Sequence, residues 1–318
     1  MLKPFDPIIE IKNERQLKSV CGVTESQLKI IAQEFELVEK EEKQAQYEQM
    51  VLSYLRVRKP GGGHKGALKT PLQKVLIVLV YCKSYSTYDD LGSRFGLSKS
   101  AAFDNVNKHF PRVRKALARL GVLPYRTFHN VEEFKEIFED IEEIIIDVTE
   151  RQCQRPQNRE QQKEVYSGKK KAPTGKNTII STLQKYIMFI GLTFTGHNHD
   201  YKMLKSEFPT EEAWFEHLKV FVDLGYQGIC KDYEGENILI PHKKPRKSKN
   251  NPNPGLTKEQ KQYNKELSKT RILVENAIGG MKRFNILVHT FRNKKPNFID
   301  DVIVLCAGLW NLNVIQNL

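Results

Sequence analysis

Two rhythms of apolar and polar positions divide the chain. Over about the first 125 residues apolar side chains recur every three or four positions, the spacing of helices packed on one face. From near Glu142 the rhythm becomes short aliphatic runs bounded by turn residues, the mark of strands.

In the helical part, "TESQLKIIAQEFELVEKEEKQAQYEQMVLSYLRV" begins with Thr24 as a cap and Gln27 three positions on. "KPGGGHKGALKTP", from Lys59 to Pro71, reads as a Gly-rich basic linker. Its Gly66 is followed by Ala67, so it lacks the GK[ST] ending of a phosphate loop. Thr70 and Pro71 open a helix over "LQKVLIVLVYCKS". "STYDDLGSRFG" is a second helix closed by Gly96, and "LSKSAAFDNVNKHFPRVRKAL" a third capped by Ser98. Leu91, Phe95, Leu97, Ala101 and Val106 can pack the second on the third. A helix, a short Gly-containing turn and a helix rich in small and polar residues fit a helix-turn-helix over about 68–118. Its exposed face would carry Ser98, Lys99, Ser100, Asn105 and Lys108 toward a major groove. Plain helical packing explains the same segments, and that alternative stays open.

In the second part "EEIIIDVTE", "KNTIISTLQ" and "YIMFIGLTFTG" predict three successive strands. A helix over "TEEAWFEHLK", strands over "VFVDLGY" and "NILIPHK", a long helix from Thr257 to Phe284 and a last helix over "NFIDDVIVLCAGLWNLNVI" follow. That order predicts an α/β fold, a mixed sheet flanked by helices, behind an all-α N-terminal domain. The expected division is 1–125 and 126–318. The stretch 241–260 is too basic and too rich in Pro and Asn for a core, and is expected as a surface loop.

Charge narrows the partner. The 318 residues carry a formal +13, which points to an anion, nucleic acid first and an acidic membrane surface second. A hydrophobic content of 39% suits a globular chain rather than a disordered one. The five cysteines are scattered with no CxxC pair, so neither a disulfide framework nor a cysteine zinc site is indicated, and a reducing cytosol suits them. The apolar run "VLIVLVYC" is too short to span a bilayer, so the expectation is a soluble intracellular protein with no membrane partner.

Chemistry enters with two carboxylates that interrupt aliphatic strands. "IIID" places Asp147, and "VFVD" places Asp223, at or near strand ends. A buried unpaired carboxylate costs several kcal/mol, so each should be protonated, paired or bound to metal. An aspartate opening a turn is the plainer explanation of either. In "TRILVENAIGGMKRF", Glu275 sits beside an apolar stripe with Arg271 one turn before it, and a surface salt bridge between them is the plainer explanation there.

Together these words resemble a family. Asp147, Asp223 and Glu275 resemble the DDE triad of bacterial insertion-sequence transposases, in the group typified by insertion sequence five. "QRPQNREQQKEVYSGKKKAPTGKN" is similar to that group's signature between the first two strands, "GHNHDYKML" to its His-Asp segment, and "VDLGYQG" and "RILVENAIGGMKRF" to its second-acid and third-acid words. The resemblance covers about residues 15–315 and includes the helix-turn-helix.

It implies a ribonuclease-H-like core in which the three acids bind Mg²⁺ or Mn²⁺, two ions per site. The activity implied is cleavage of double-stranded DNA at element ends and strand transfer into target DNA, by a dimer or higher oligomer in the bacterial cytoplasm, at the nucleoid. It also implies a phosphate track from Arg155, Lys169, Lys170, Lys171 and Lys176, and DNA contacts from Lys282 and Arg283. The loop residues Lys243, Lys244, Arg246, Lys247 and Lys249 would grip DNA or form a solvated face. Arg271 would orient Glu275 or touch a phosphate. His199 and Asp200 would support the site, or Asp200 would cap the helix after it. A DNA-binding regulator without the chemistry, and a nuclease that does not join strands, are the alternatives.

Overall fold

Capping and spacing set the helices of the first part. The computed structural model describes residues 11–55, 66–233, 237–247 and 254–316. Most of the Gly-rich linker (59–65) and the loop centre with Lys249 (248–253) lie outside the described residues. The chain divides into two units: 1–123 with 282–289 and 301–313, and 124–281 with 290–300 and 314–318.

In the first unit, α1 (Glu14–Cys21) is capped by Asn13, and α2 (Glu25–Leu52) and α3 (Pro71–Ser84) open on full capping boxes, Thr24 with Gln27 and Thr70 with Gln73. Every residue from Val75 to Cys82 is buried, so α3 is apolar all round because it is the unit's central helix. Glu39 of α2 is nearly enclosed, with Lys74 Nζ at 2.7 Å and Arg112 at 3.4 Å. Burial alone would raise its carboxyl, but hydrogen bonds from Lys74 and Lys43 hold it down at about 2.

Helix α4 (Tyr88–Phe95) turns at Gly96, in the left-handed region at φ 63°, into α5 (Lys99–Arg119), capped by Ser98. A Cβ on Gly92 would stand 2.6 Å from the Leu97 carbonyl oxygen, so the tight turn needs glycine there. Leu91, Phe95 and Val106 are buried at this corner, with Ala102 rather than Ala101 fully inside. The C-terminal helix Phe298–Ile315 is long and apolar enough to cross a bilayer by length and composition, but most of it is buried. It exceeds the Val75–Cys82 run because Asp300 and Asp301 sit only at its start. Asn311 ties it to the first unit by donating to the Val122 carbonyl at 2.9 Å.

The second unit opens with α6 (Val131–Ile137) and β1 (Glu143–Gln152). Helix α7 (Arg159–Val165), β2 (Tyr166–Ser167), β3 (Ala172–Thr182), β4 (Ile187–Ile190) and β5 (Phe194–Thr195) follow. Then come α8 (Asp200–Glu207), β6 (Lys219–Phe221), α9 (Ile229–Asp232), β7 (Ile238–Leu239) and α10 (Lys258–Met281). The sheet is mixed, in order β2-β3-β1-β6-β7, with β4 and β5 also on β3. Strands β1 and β3 are antiparallel, whereas β1, β6 and β7 run parallel.

Ile144 and Ile146 of β1 join Phe134, Phe189, Phe208, Trp214, Phe215 and Val220 in an aromatic-rich core. By the two-residue alternation of a strand, Asp147 shares the opposite face with Ile145, toward α10, which packs on β1, β3 and β6.

One predicted element is absent. "TEEAWFEHLK" is a series of turns, and the helix lies one segment earlier, over α8. The Trp214 indole N–H donates to the Pro209 carbonyl at 3.0 Å and folds the chain back. Trp214, Phe215 and Leu218 therefore all reach the core without helical spacing.

Candidate active site

Parallel strands of unequal length create the site. The pairing of β1 with β6 ends at Ile145 opposite Phe221, while β1 runs on to Gln152 with β3 alone. Asp147 lies two residues past that last pair, and Asp223 two residues past Phe221. Both carboxylates thus stand just past the point where the parallel pairing of β1 and β6 ends, on its carboxyl side, a position that favours ligand sites. Asp147 is mid-strand rather than at a strand end, since β1 continues for five residues beyond it.

Each carboxylate is held by backbone. Val148 N–H donates to Asp147 Oδ1 at 2.7 Å, and Gly225 N–H donates to Asp223 Oδ1 at 2.6 Å. Burial pushes the Asp147 carboxyl up to about 6. The Val148 N–H opposes that rise, and the negative charge of Asp223 adds to it.

Arg271, from α10, places a guanidinium nitrogen 3.9 Å from Asp223 and is close enough to act on Asp147 as well. The Arg271–Glu275 bridge open to the sequence is therefore replaced by one to Asp223. Glu275, one turn further along α10, is exposed. Among the described residues no group of three or more His, Cys, Asp or Glu side chains is placed to hold a metal ion. The two aspartates are brought together; Glu275 is not drawn in with them.

A different acid stands nearer. Asp200, in the first turn of α8, acts electrostatically on Asp147 and pairs with Lys176 Nζ at 2.9 Å; that ammonium also donates to the Asn198 carbonyl. Asp200 does not cap its helix: His199 occupies the cap position and makes no side-chain cap bond. Lys176 is largely enclosed and committed to Asp200, unlike an open phosphate contact.

Sequence patterning does not point to two further residues. Tyr226, three positions after Asp223, is fully buried with its hydroxyl unpartnered, in the charge field of Asp147, Asp200, Asp223 and Glu207. Burial pushes the Glu207 carboxyl up to about 7. A Cβ on Gly191 would meet Glu207 Oε1 at 1.6 Å, so the glycine makes room for that acid. The tyrosine is visible in "DLGYQG", but Glu207 ends α8 with no periodic signal.

The predicted DNA contacts fall in separate places. Lys169, Lys170 and Lys171 are exposed at the tip of the β2–β3 hairpin, whose turn closes with Lys171 N–H on the Ser167 carbonyl. Arg155 is exposed beyond β1, and Lys243, Lys244, Arg246 and Lys247 are exposed after β7. Lys282 and Arg283 belong to the first unit, where the Arg283 guanidinium lies 5.7 Å over the Trp310 ring. On α5, Ser100 and Lys108 are exposed, Lys99 pairs with Asp89 at 3.6 Å, and Ser98 Oγ accepts from Ala101 N–H. Asn105 bonds back to the Ala101 carbonyl.

Comparison with known proteins gives the family. Residues 146–311 match the DDE superfamily endonuclease family, a stretch that contains Asp147, Asp223 and Glu275. The chain is 32% identical over 247 residues to a protein from Microchaete diplosiphon described as a probable transposase for insertion sequence element IS702, covering 76% of this chain and 79% of that one. No solved structure matches. An acid-bearing mixed sheet, a family match spanning all three candidate acids and a relative aligned over most of both chains lead to one placement: the chain belongs to the DDE superfamily of endonucleases, among the insertion-sequence transposases.

Proposed function

We propose that the protein is an active transposase that binds its element's terminal inverted repeats, cleaves DNA phosphodiester bonds there and joins the freed ends to target DNA. The observation that carries this is the pairing of Asp147 and Asp223 just past the point where β1 and β6 part, with Arg271 beside them. The mixed sheet with its antiparallel and parallel halves supports a ribonuclease-H-like core, and the α4–turn–α5 corner supports a helix-turn-helix in the N-terminal domain.

The donor set suits a hard divalent cation. Mg²⁺ and Mn²⁺ take one or two carboxylates and keep waters and phosphate oxygens as their other ligands. Asp147 and Asp223 supply two carboxylates, and the burial and like charge that raise Asp147 are what a cation would relieve. When bound, such ions supply Lewis-acid chemistry for the attacking water or 3′-hydroxyl and for the leaving oxygen. Glu275 lies four residues after Arg271, hence on the same face of α10, and a change of its side-chain rotamer would be needed for it to join the two aspartates.

The other residues hold these groups and the substrate. The backbone N–H groups of Val148 and Gly225 orient the two aspartates through Oδ1, which leaves Oδ2 of Asp147 for a ligand, while Oδ2 of Asp223 faces Arg271. Lys176 fixes Asp200. Arg155, the hairpin lysines 169–171 and the basic residues 243–247 give DNA phosphates a track on the catalytic unit. Joining two element ends calls for two copies of the chain on DNA.

The test is cleavage of a duplex that carries the inverted repeats found beside the gene, with purified protein and Mg²⁺. Asp147→Asn and Asp223→Asn should each abolish nicking without unfolding the protein. Equal nicking by either variant overturns the assignment. Nicking without strand transfer from pre-cleaved ends would leave a nuclease.

A further inference from the structure

Beyond the carboxylates, β1 leads into a cavity of about 740 Å³ that, apart from Arg155 of the phosphate track, none of this chemistry uses. Its size falls within the range of built ligand sites. Five of its lining side chains are amides: Gln154, Gln157, Asn158, Gln161 and Asn293. Three more are cations, Arg155, Lys294 and Lys295, and no aspartate or glutamate lines it among the described residues. Pro156, Phe291 and Ile299 supply apolar wall.

The walls are anchored. Cys153 N–H donates to the Pro173 carbonyl at 3.0 Å, and Phe291 N–H donates to the Gln152 carbonyl at 3.0 Å, so both sides are tied to β1 or β3. Arg155 donates to Gln162 Oε1 at 2.7 Å, and Gln162 Nε2 donates back to the Pro156 carbonyl at 2.7 Å, which fixes the intervening loop.

That chemistry selects among ligands. Cations alone would suit phosphate, which offers only acceptors and would leave the amide oxygens without donors. Amides present a donor and an acceptor together, which matches the edge of a nucleobase. In a duplex the Watson–Crick edge is occupied by its partner, so only an unpaired base offers it to a concave site. We propose that this cavity binds an unpaired nucleotide of the DNA substrate, its base against the amides and its phosphate on Arg155, Lys294 and Lys295.

The placement follows from the strand. Cys153 is six residues beyond Asp147, and at about 3.3 Å per residue the cavity opens about 20 Å from the carboxylates. At about 3.4 Å per base step that is about six nucleotides along the DNA from the bond to be cut. The inference rests on the DNA-cleaving reading of the site.

Fluorescence anisotropy of the full chain in EDTA tests it, with a blunt duplex and the same duplex carrying a short single-stranded extension. The extended duplex should bind about tenfold tighter, the scale of one recognised base. Gln157→Leu combined with Gln161→Leu, both at exposed positions, should erase that preference and leave blunt-duplex affinity and the circular dichroism spectrum unchanged. Lys294→Ala with Lys295→Ala should weaken the extended duplex more than the blunt one. Equal affinity of the wild type for the two duplexes overturns the inference alone, as does a preference that survives the leucine variant. Failure to bind either duplex overturns the transposase reading with it.

Discussion

Replacing Asp147 by asparagine should make the protein more stable while removing its activity. The carboxyl is raised from 3.8 to about 6 in the folded state, chiefly by burial. A folded pKa above the unfolded one means that the native state holds the proton more tightly. Between about pH 4 and 6 the unfolded chain has released that proton and the native chain has not, so stability falls as pH rises through this window. Above it the full penalty is present. Two pKa units correspond to about 3 kcal/mol, and partial solvent access trims this to about 2. Asparagine keeps the shape and the oxygen that accepts from Val148 N–H, but carries no charge. At about 2–4 °C per kcal/mol for a unit of this size, melting at pH 8 in EDTA should rise by about 4–8 °C in the variant. The gap should close below about pH 4, where both states of the wild type are protonated. Thermal melts followed by circular dichroism across that range decide it. A variant less stable than wild type at pH 8, or a gap that persists in acid, refutes the claim that Asp147 is a strained, charge-burdened ligand.

Three further outcomes follow from named side chains. Replacing Lys169, Lys170 and Lys171 together by alanine should weaken duplex binding and lower the slope of log K against log salt by about 3, near 0.9 for each phosphate no longer neutralised; an unchanged slope removes the hairpin tip from the DNA path. Tyr226→Phe should be neutral or stabilise by about 1 kcal/mol in EDTA, because it deletes a buried hydroxyl that has no partner; a clear loss of stability in urea titration would show that the hydroxyl is bonded. Lys176→Met should cost about 2 kcal/mol by stranding Asp200 and should raise the Asp147 carboxyl further, moving the cleavage pH profile to the alkaline side; a profile that stays in place separates Asp200 from the site.

Local rules made much of the fold legible. Thr24, Thr70 and Ser98 cap the helices they were expected to cap, because a cap depends on a few adjacent atoms. The aliphatic strands β1 and β3 and the helix α10 follow from runs long enough to show their period. The turns around Trp214 did not, since a hydrogen bond from an indole to the Pro209 carbonyl overrides local helix preference. In the site, Asp147 and Asp223 were legible as breaks in apolar strands, whereas the partners of charged side chains were not. Arg271 reaches Asp223 instead of Glu275, and Lys176 turns inward to Asp200, because register and helix placement decide which charges meet. Glu207 and the cavity beside Cys153 arise from segments distant in sequence, so no short word encodes them.

The central claim is that the Asp147 carboxylate is a metal ligand for DNA cleavage. Asp147→Cys tests it most directly, since a thiolate binds Mn²⁺ or Cd²⁺ far better than Mg²⁺. The account predicts a folded variant that fails to nick inverted-repeat DNA with Mg²⁺ and regains nicking with the softer ions. Full activity of that variant in Mg²⁺, or none with any ion while wild type cleaves with each, would contradict it.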